Sequence, residues 1–201
     1  VAGAGGLGAS VLNLLVRYGF GKIYFFDYAT IDLPDLNRQI LYDRNDIGKL
    51  KTEVASEKLK CINPQIDIIA CDEKISEATS IPDVELVFDC LDNFTSRYIL
   101  DKLVFPKTIP LVHAGVSLYY GQITVICAGR TKSLRDSIPV DAQKYDKRID
   151  KQVHPALVTT IASLQVMETV KFFGNDFDNM LFNKILAVDL LSNSFDLIEI
   201  R

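Results

Sequence analysis

A glycine run near the amino end, Gly3-Ala4-Gly5-Gly6-Leu7-Gly8, has the spacing that lets backbone amides and a helix amino end face a phosphate. Glycine matters there because a side chain would block the phosphate's approach. Asp27 closes the next apolar run, where a carboxylate can accept hydrogen bonds from ribose hydroxyls. This pair suits NAD, FAD or ATP equally. Arg38 and Lys51 separate them, since hydride transfer needs no convergent cations at the phosphate end. Cations there would offset the repulsion a triphosphate presents to an incoming carboxylate and stabilise charge on leaving pyrophosphate. Asp92, just beyond Asp89-Cys90, could hold a magnesium ion bridging phosphates. The plainer alternative makes Arg38 and Lys51 solvated charges and Asp92 the cap of a helix beginning at Asn93.

These residues must be held by alternating strands and helices. Val1-Ala2 ends a buried strand, and Val11, Leu12, Leu15 and Val16 continue a helix that Gly19 and Gly21 stop. Strands are predicted at 23–27, 66–70, 86–90, 110–117 and 121–127, with a tight turn through Tyr119, Tyr120 and Gly121. Helices are predicted at 49–62, 93–105 and from Pro155 to Phe173, and a hairpin around Ser192-Asn193 joins strands at 185–190 and 195–200. The pattern predicts an α/β fold: a doubly wound, Rossmann-like, mostly parallel sheet with antiparallel strands on its C-terminal side. Residues 128–152 lose apolar periodicity and read as a long crossover loop within a single domain spanning 1–201.

Composition narrows the function classes. At 201 residues and 48% hydrophobic, the chain has the material for one core, and a second large domain does not fit. A net charge of −4 argues against nucleic-acid and membrane-surface partners. Cys61, Cys71, Cys90 and Cys127 form no CxxC pair, so neither a zinc cage nor a disulfide framework is expected, and a reducing, cytoplasmic compartment is. No apolar run is read as approaching the roughly 20 residues of a membrane span. His113 and His154 read as packing residues.

Over nearly its whole length the sequence resembles the ThiF/MoeB/HesA proteins, adenylyltransferases related to ubiquitin activators. The resemblance is carried by the glycine turn, Asp27, Asn37-Arg38-Gln39, Asp46-Ile47-Gly48 with Lys51, Asn63-Pro64, and Asp89-Cys90-x-Asp92-Asn93 with Arg97. Gly121-Gln122 and Ser163-Leu164-Gln165-x-x-Glu168-x-x-Lys171 continue it in order. It implies that Gly3, Gly5, Gly6 and Gly8 form the ATP turn and that Asp27 holds the ribose. Arg38, Gln39 and Lys51 would bind phosphates, Asp35, Asn37 and Asn93 would complete the nucleotide site, and Asp92 would bind Mg2+. The implied reaction adenylates a carboxylate in a homodimer, commonly at the C-terminal glycine of a ubiquitin-like carrier protein. A non-catalytic nucleotide-binding relative and an NAD(P)-dependent oxidoreductase are the alternatives.

Four departures qualify the resemblance. The family's zinc-binding cysteine pairs are missing, so no zinc is expected. No cysteine occupies the crossover loop, where Val153-His154-Pro155 lies near the thiol position of some relatives, which predicts adenylation without a later thioester. Asp35 replaces the first asparagine of the family's Asn-Leu-Asn-Arg-Gln stretch, placing an anion that would recruit a metal or point outward. The helical segment that lends an arginine to the neighbouring subunit's ATP does not precede Val1, leaving Arg130, Arg135 or Arg148 as substitutes. The short, zinc-free, cysteine-poor pattern is also similar to HcgE, a relative that activates a small-molecule carboxylate, the pyridinol precursor of the iron-guanylylpyridinol cofactor.

Overall fold

The structure, a computed structural model, describes residues 1–147 and 152–200. Helix α1 (Gly6–Tyr18) buries Leu7, Val11, Leu12, Leu15 and Val16 along one stripe, and Gly19 ends it in the left-handed conformation with φ +98°. Strand β1 (Lys22–Phe26) follows, then α2 (Lys51–Ile62), β2 (Asp67–Cys71), β3 (Val87–Asp89) and α3 (Phe94–Val104). Next come β4 (Leu111–Ser117), β5 (Tyr120–Ile126), the short helices α4 (Leu134–Ser137) and α5 (Ala142–Asp146), α6 (Pro155–Phe173), β6 (Lys184–Asp189) and β7 (Ser194–Glu199).

Ala2 bridges Phe26 on one side and Asp89 on the other, both in parallel, and so joins β1 to β3 across the centre of the sheet. The order is therefore β2, β1, Ala2, β3, β4, β5, β6, β7, parallel from β2 through β4 and antiparallel from β4 onward. The chain leaves Ala2 toward β1 and β2, then crosses back to β3 on the other side. That reversal makes the carboxyl end of Ala2 a topological switch point, where a crevice must open between diverging connections.

One core layer packs α1, α2 and α6 on the sheet through Leu12, Leu59, Leu157 and Ile161. The other packs α3 and the segment after β5 on the opposite face through Tyr98, Leu100, Val104, Leu134 and Ile126. Helix α6, at 19 residues and mean hydropathy 1.2, meets the length and composition of a membrane span, contrary to the sequence reading. Its buried face packs on α1, β4 and β5, and a central helix covered on several sides is apolar for that reason.

Two other sequence expectations change. The turn before β5 falls at Leu118-Tyr119, with Leu118 at φ +51°, while Tyr120 already belongs to the strand. Residues 128–147 are not structureless. Leu134 is fully buried, the Asp101 carboxylate accepts from its amide (3.1 Å), and the Tyr98 hydroxyl donates to Ile138 O (2.6 Å). Amphipathic pattern is hard to read in helices of four and five residues, because so few positions repeat. Arg148, Asp150 and Lys151 of that loop lie outside the described residues.

Candidate functional site

The glycine turn sits at the switch point. Gly3 adopts φ +96°, and a Cβ there would lie 2.8 Å from the Cys90 carbonyl oxygen, so only glycine lets the turn lie against the β3 end. A Cβ on Gly8 would land on the Gly3 carbonyl oxygen, which ties helix and turn together. Gly5 is the residue before α1 and no side chain caps the helix there, so its first amides remain donors toward the crevice.

Asp27 closes the turn from the β1 side. Its Oδ2 accepts from Ala4 N (2.7 Å) and its Oδ1 from Ala29 N (2.9 Å), leaving each oxygen a further lone pair. The Tyr42 hydroxyl donates to Ala4 O (2.9 Å), and burial pushes its phenol pKa far up, so it stays a donor. This bond pins the excursion from Tyr28 to Leu50 onto the turn. The excursion itself is closed by a Thr30–Leu50 bridge and by reciprocal bonds of Ile31 with Gly48 and Lys49. Arg38 and Gln39 thereby meet Lys51, the first residue of α2.

Asp35 lies where these three converge. Its Oδ1 accepts from Gln39 Nε2 (2.7 Å) and lies 3.6 Å from Arg38 Nη2, and its Oδ2 lies 3.1 Å from Lys51 Nζ. Of the two alternatives for Asp35, the outward-pointing one is therefore corrected. Two nearby cations and an amide outcompete solvent for its charge.

Across the crevice, Asn93 caps α3 by accepting from Ser96 N (2.8 Å), which corrects the alternative in which Asp92 was the cap. Asp92 is exposed, with Oδ1 accepting from Asn93 Nδ2 (3.0 Å). Arg97 donates to the Leu91 carbonyl and reaches His113, which pairs with Asp89. Burial pushes the Cys90 thiol up to about 12, so it is a packed thiol and no nucleophile. Gln165 of α6 ties the strand ends together by donating to Asp89 O (3.2 Å) and Val112 O (3.1 Å).

A cavity of about 790 Å3 joins these groups. Gly3, Gly5, Gly6, Asp27, Asp35, Arg38, Gln39, Lys51, Asp92 and Asn93 all line it. Gly8 and Asn37 do not: Gly8 packs behind the turn, and Asn37 accepts from Arg38 Nη1 (3.0 Å). Sequence reasoning left Arg97, Gln122 and Tyr145 out of the site, yet they line its wall. Arg97 and Gln122 stood within the recognised motifs, whereas Tyr145, in a stretch without periodicity, gave no signal. Two of the proposed stand-in arginines do not line the cavity, Arg130 lying over the rings of Phe177 (4.6 Å) and Phe182 (5.1 Å) and Arg135 over Tyr98 (4.7 Å), while the third, Arg148, lies outside the described residues. His154 accepts from Ala156 N at the start of α6.

Among the described residues no three His, Cys, Asp or Glu side chains converge on a metal position. The donor chemistry nevertheless fits a hard divalent ion brought with a ligand. Asp92 offers one exposed carboxylate, and such ions take one or two carboxylates plus phosphate oxygens and water.

A doubly wound sheet with an amide-rich turn, an acid bonded to that turn and two cations at its switch point defines a nucleotide-binding α/β protein. The chain belongs to the ThiF family, which it matches over residues 1–201. It is 38% identical over 136 residues to SUMO-activating enzyme subunit 2 of Dictyostelium discoideum, covering 66% of this chain and 21% of that protein. It is 29% identical over 205 residues to the molybdopterin-synthase adenylyltransferase of Escherichia coli K12, covering 97% of this chain and 80% of that one. The fold matches crystal structures of E. coli MccB, one with ATP, at TM-score 0.88, 20% identity and 99% coverage of this chain, 62% of MccB. The chain thus spans between a fifth and four-fifths of the length of these relatives.

Proposed function

We propose that this protein adenylates a carboxylate with ATP and releases pyrophosphate. One observation carries the reading: the free amides of the α1 turn, Arg38 and Lys51 all face one cavity, with Asp27 at the turn and Asp92 opposite. In this reading the turn amides and the two cations hold the phosphates, and Asp27 accepts from the ribose. Asp92 would hold Mg2+, which supplies charge neutralisation between phosphates when bound. The carboxylate oxygen bonds to the α-phosphorus as the bond to the bridging oxygen breaks, and pyrophosphate leaves with the electron pair. Positioning and charge stabilisation suffice, and no enzyme nucleophile is required.

The cavity continues from the nucleotide end along Gly115, Ser117, Gln122 and Ala187 toward Asp196. We place the substrate carboxylate on that side, as the C-terminal glycine of a ubiquitin-like carrier. A small molecule such as the pyridinol precursor is the competing acceptor. Several relatives are named as carrier or molybdopterin-synthase adenylyltransferases, which supports the carrier. A single adenylation domain, a homodimer and a cytoplasmic setting complete the reading.

The test is calorimetric titration with ATP plus Mg2+ and with NADH, alongside Lys51→Ala, followed by pyrophosphate release with carrier tails and aromatic carboxylates. ATP binding lost in the variant, with pyrophosphate released, supports adenylation. NADH binding alone overturns it, and ATP binding without pyrophosphate release from any acceptor makes the protein a non-catalytic relative.

A further inference from the structure

Lys51, Arg38 and Gln39 already grip an anion, and it belongs to the chain. The Asp35 carboxylate takes 2.7 Å from Gln39 Nε2, 3.1 Å from Lys51 Nζ and 3.6 Å from Arg38 Nη2, and the Asp32 amide donates to it at 3.2 Å. Its side chain is 15% exposed and that of Lys51 9%, so the pairing is sheltered from the screening that weakens surface ion pairs. An amide, an ammonium and a guanidinium converging on two oxygens is the donor set a phosphate would meet. Lys51, Arg38 and Gln39 cannot serve Asp35 and a phosphate fully at once.

We propose that Asp35 is an internal competitor for the polyphosphate. Resting on the nucleotide reading above, it deepens that reading by adding a residue that sets nucleotide affinity and its dependence on a divalent cation. Without nucleotide, the carboxylate keeps the three donors converged on one point, so the cradle is ordered in advance. Entry of a phosphate draws Lys51 and Arg38 away. The released carboxylate still lines the same cavity, where it repels phosphate charge. A divalent cation lowers that repulsion, so binding depends on the cation more steeply than the phosphate charge alone requires. The penalty grows with phosphate charge and spares ligands that do not reach Lys51.

Asparagine at position 35 keeps the size and the contact with Gln39 and removes the charge. Calorimetry on the full chain and on Asp35→Asn uses ATP, inorganic tripolyphosphate and AMP, each with and without Mg2+. The variant is expected to bind ATP and tripolyphosphate about tenfold more tightly without Mg2+, equivalent to ~1.4 kcal/mol. With Mg2+ the gain shrinks to about threefold, and AMP is unaffected. In a Lys51→Met background the gain from Asp35→Asn shrinks, because one contested donor is gone while Arg38, Gln39 and the repulsion of the carboxylate remain. Asp35→Ser, which removes both charge and contact, gives the same direction and guards against a local defect of the asparagine, with melting curves checking that each variant is folded.

Equal ATP affinity in wild type and variants overturns the competitor while leaving the nucleotide reading intact. Weaker binding in the variants, confined to Mg2+, also overturns it and makes Asp35 a metal ligand. If folded wild type and variants all fail to bind ATP and tripolyphosphate, the nucleotide reading falls and the competitor falls with it.

Discussion

His113 Nδ1 lies 2.7 Å from Asp89 Oδ2, with both side chains fully buried where the end of β3 pairs with β4. Burial pushes the imidazole pKa down from 6.5, outweighing the opposite pull of the Asp89 hydrogen bond, and the Arg97 guanidinium adds to the lowering. The ring is therefore neutral, donating Nδ1–H to Asp89 and leaving Nε2 to accept from Arg97 (3.4 Å). Burial would raise the Asp89 carboxyl, but Arg97 and His113 together hold it below the carboxylate range. A neutral ring thus stands between the Asp89 carboxylate and Arg97, and Arg97 carries the linkage on to the Leu91 carbonyl.

That arrangement sets a pH dependence. A folded pKa below the unfolded 6.5 means the unfolded chain takes up the proton first. The contribution is whole above pH 6.5 and is lost as pH falls toward the folded value. In urea denaturation at two pH values on either side, His113→Asn is expected to lose less stability on acidification than wild type.

Asp101 runs the other way. Burial pushes its carboxyl up to about 6, and the amide of Leu134 only partly offsets this. One of its oxygens, Oδ1, is buried without a partner, so the ionised form is incompletely satisfied. Because the folded state holds this proton more tightly than the unfolded state, its contribution is full below 3.8 and is lost as pH rises through about 6. Melting temperatures of wild type minus Asp101→Asn should therefore increase as pH is lowered through 6.

Asp146 fastens the crossover segment to the helix that borders the site. Its carboxylate accepts from Phe94 N (2.7 Å), Thr95 N (3.1 Å) and Thr95 Oγ1 (2.7 Å), and Tyr145 packs edge-on to Phe94. A charged acceptor at a helix amino end contributes ~1–2 kcal/mol. Asp146→Ala is expected to raise amide hydrogen exchange across 134–146 by about that free energy, while the strands β4 and β5 keep their protection. Unchanged exchange in the crossover segment would show that Leu134 and Tyr98 hold it alone.

Gly5 and Gly8 should respond differently to alanine. A Cβ on Gly8 collides with backbone, so Gly8→Ala is expected to destabilise by roughly 2–3 kcal/mol or more. A Cβ on Gly5 meets only Gln39 Nε2 at 3.8 Å and otherwise projects into the cavity. Gly5→Ala should change stability by less than about 0.5 kcal/mol and yet weaken ATP binding about tenfold, as read by melting and calorimetry side by side. Equal ATP affinity in a folded Gly5→Ala protein would place the phosphates away from this turn.

The glycine turn, Asp27 and the strands around them were legible because their determinants are local. Gly3 at φ +96° against the Cys90 carbonyl demands glycine, buried parallel strands demand short apolar runs, and the 3.6-residue stripes of α1, α2, α3 and α6 repeat often enough to be read. The same holds for the antiparallel end of the sheet, where Asn193 at φ +59° turns the last hairpin. Asp35 was not legible. Its position in the chain is indifferent to whether it faces solvent, metal or cation, and only the folding of residues 28–50 onto the turn brings Lys51 and Gln39 to it. Asp101 and Asp146 likewise carried no signal in the sequence. Their roles depend on which backbone amides of other segments arrive within hydrogen-bond reach, and that is decided by packing of the crossover segment on α3, across 33 residues of sequence for Asp101 and 52 for Asp146. Composition and spacing determined the sheet and the glycine turn; long-range packing decided which charges meet.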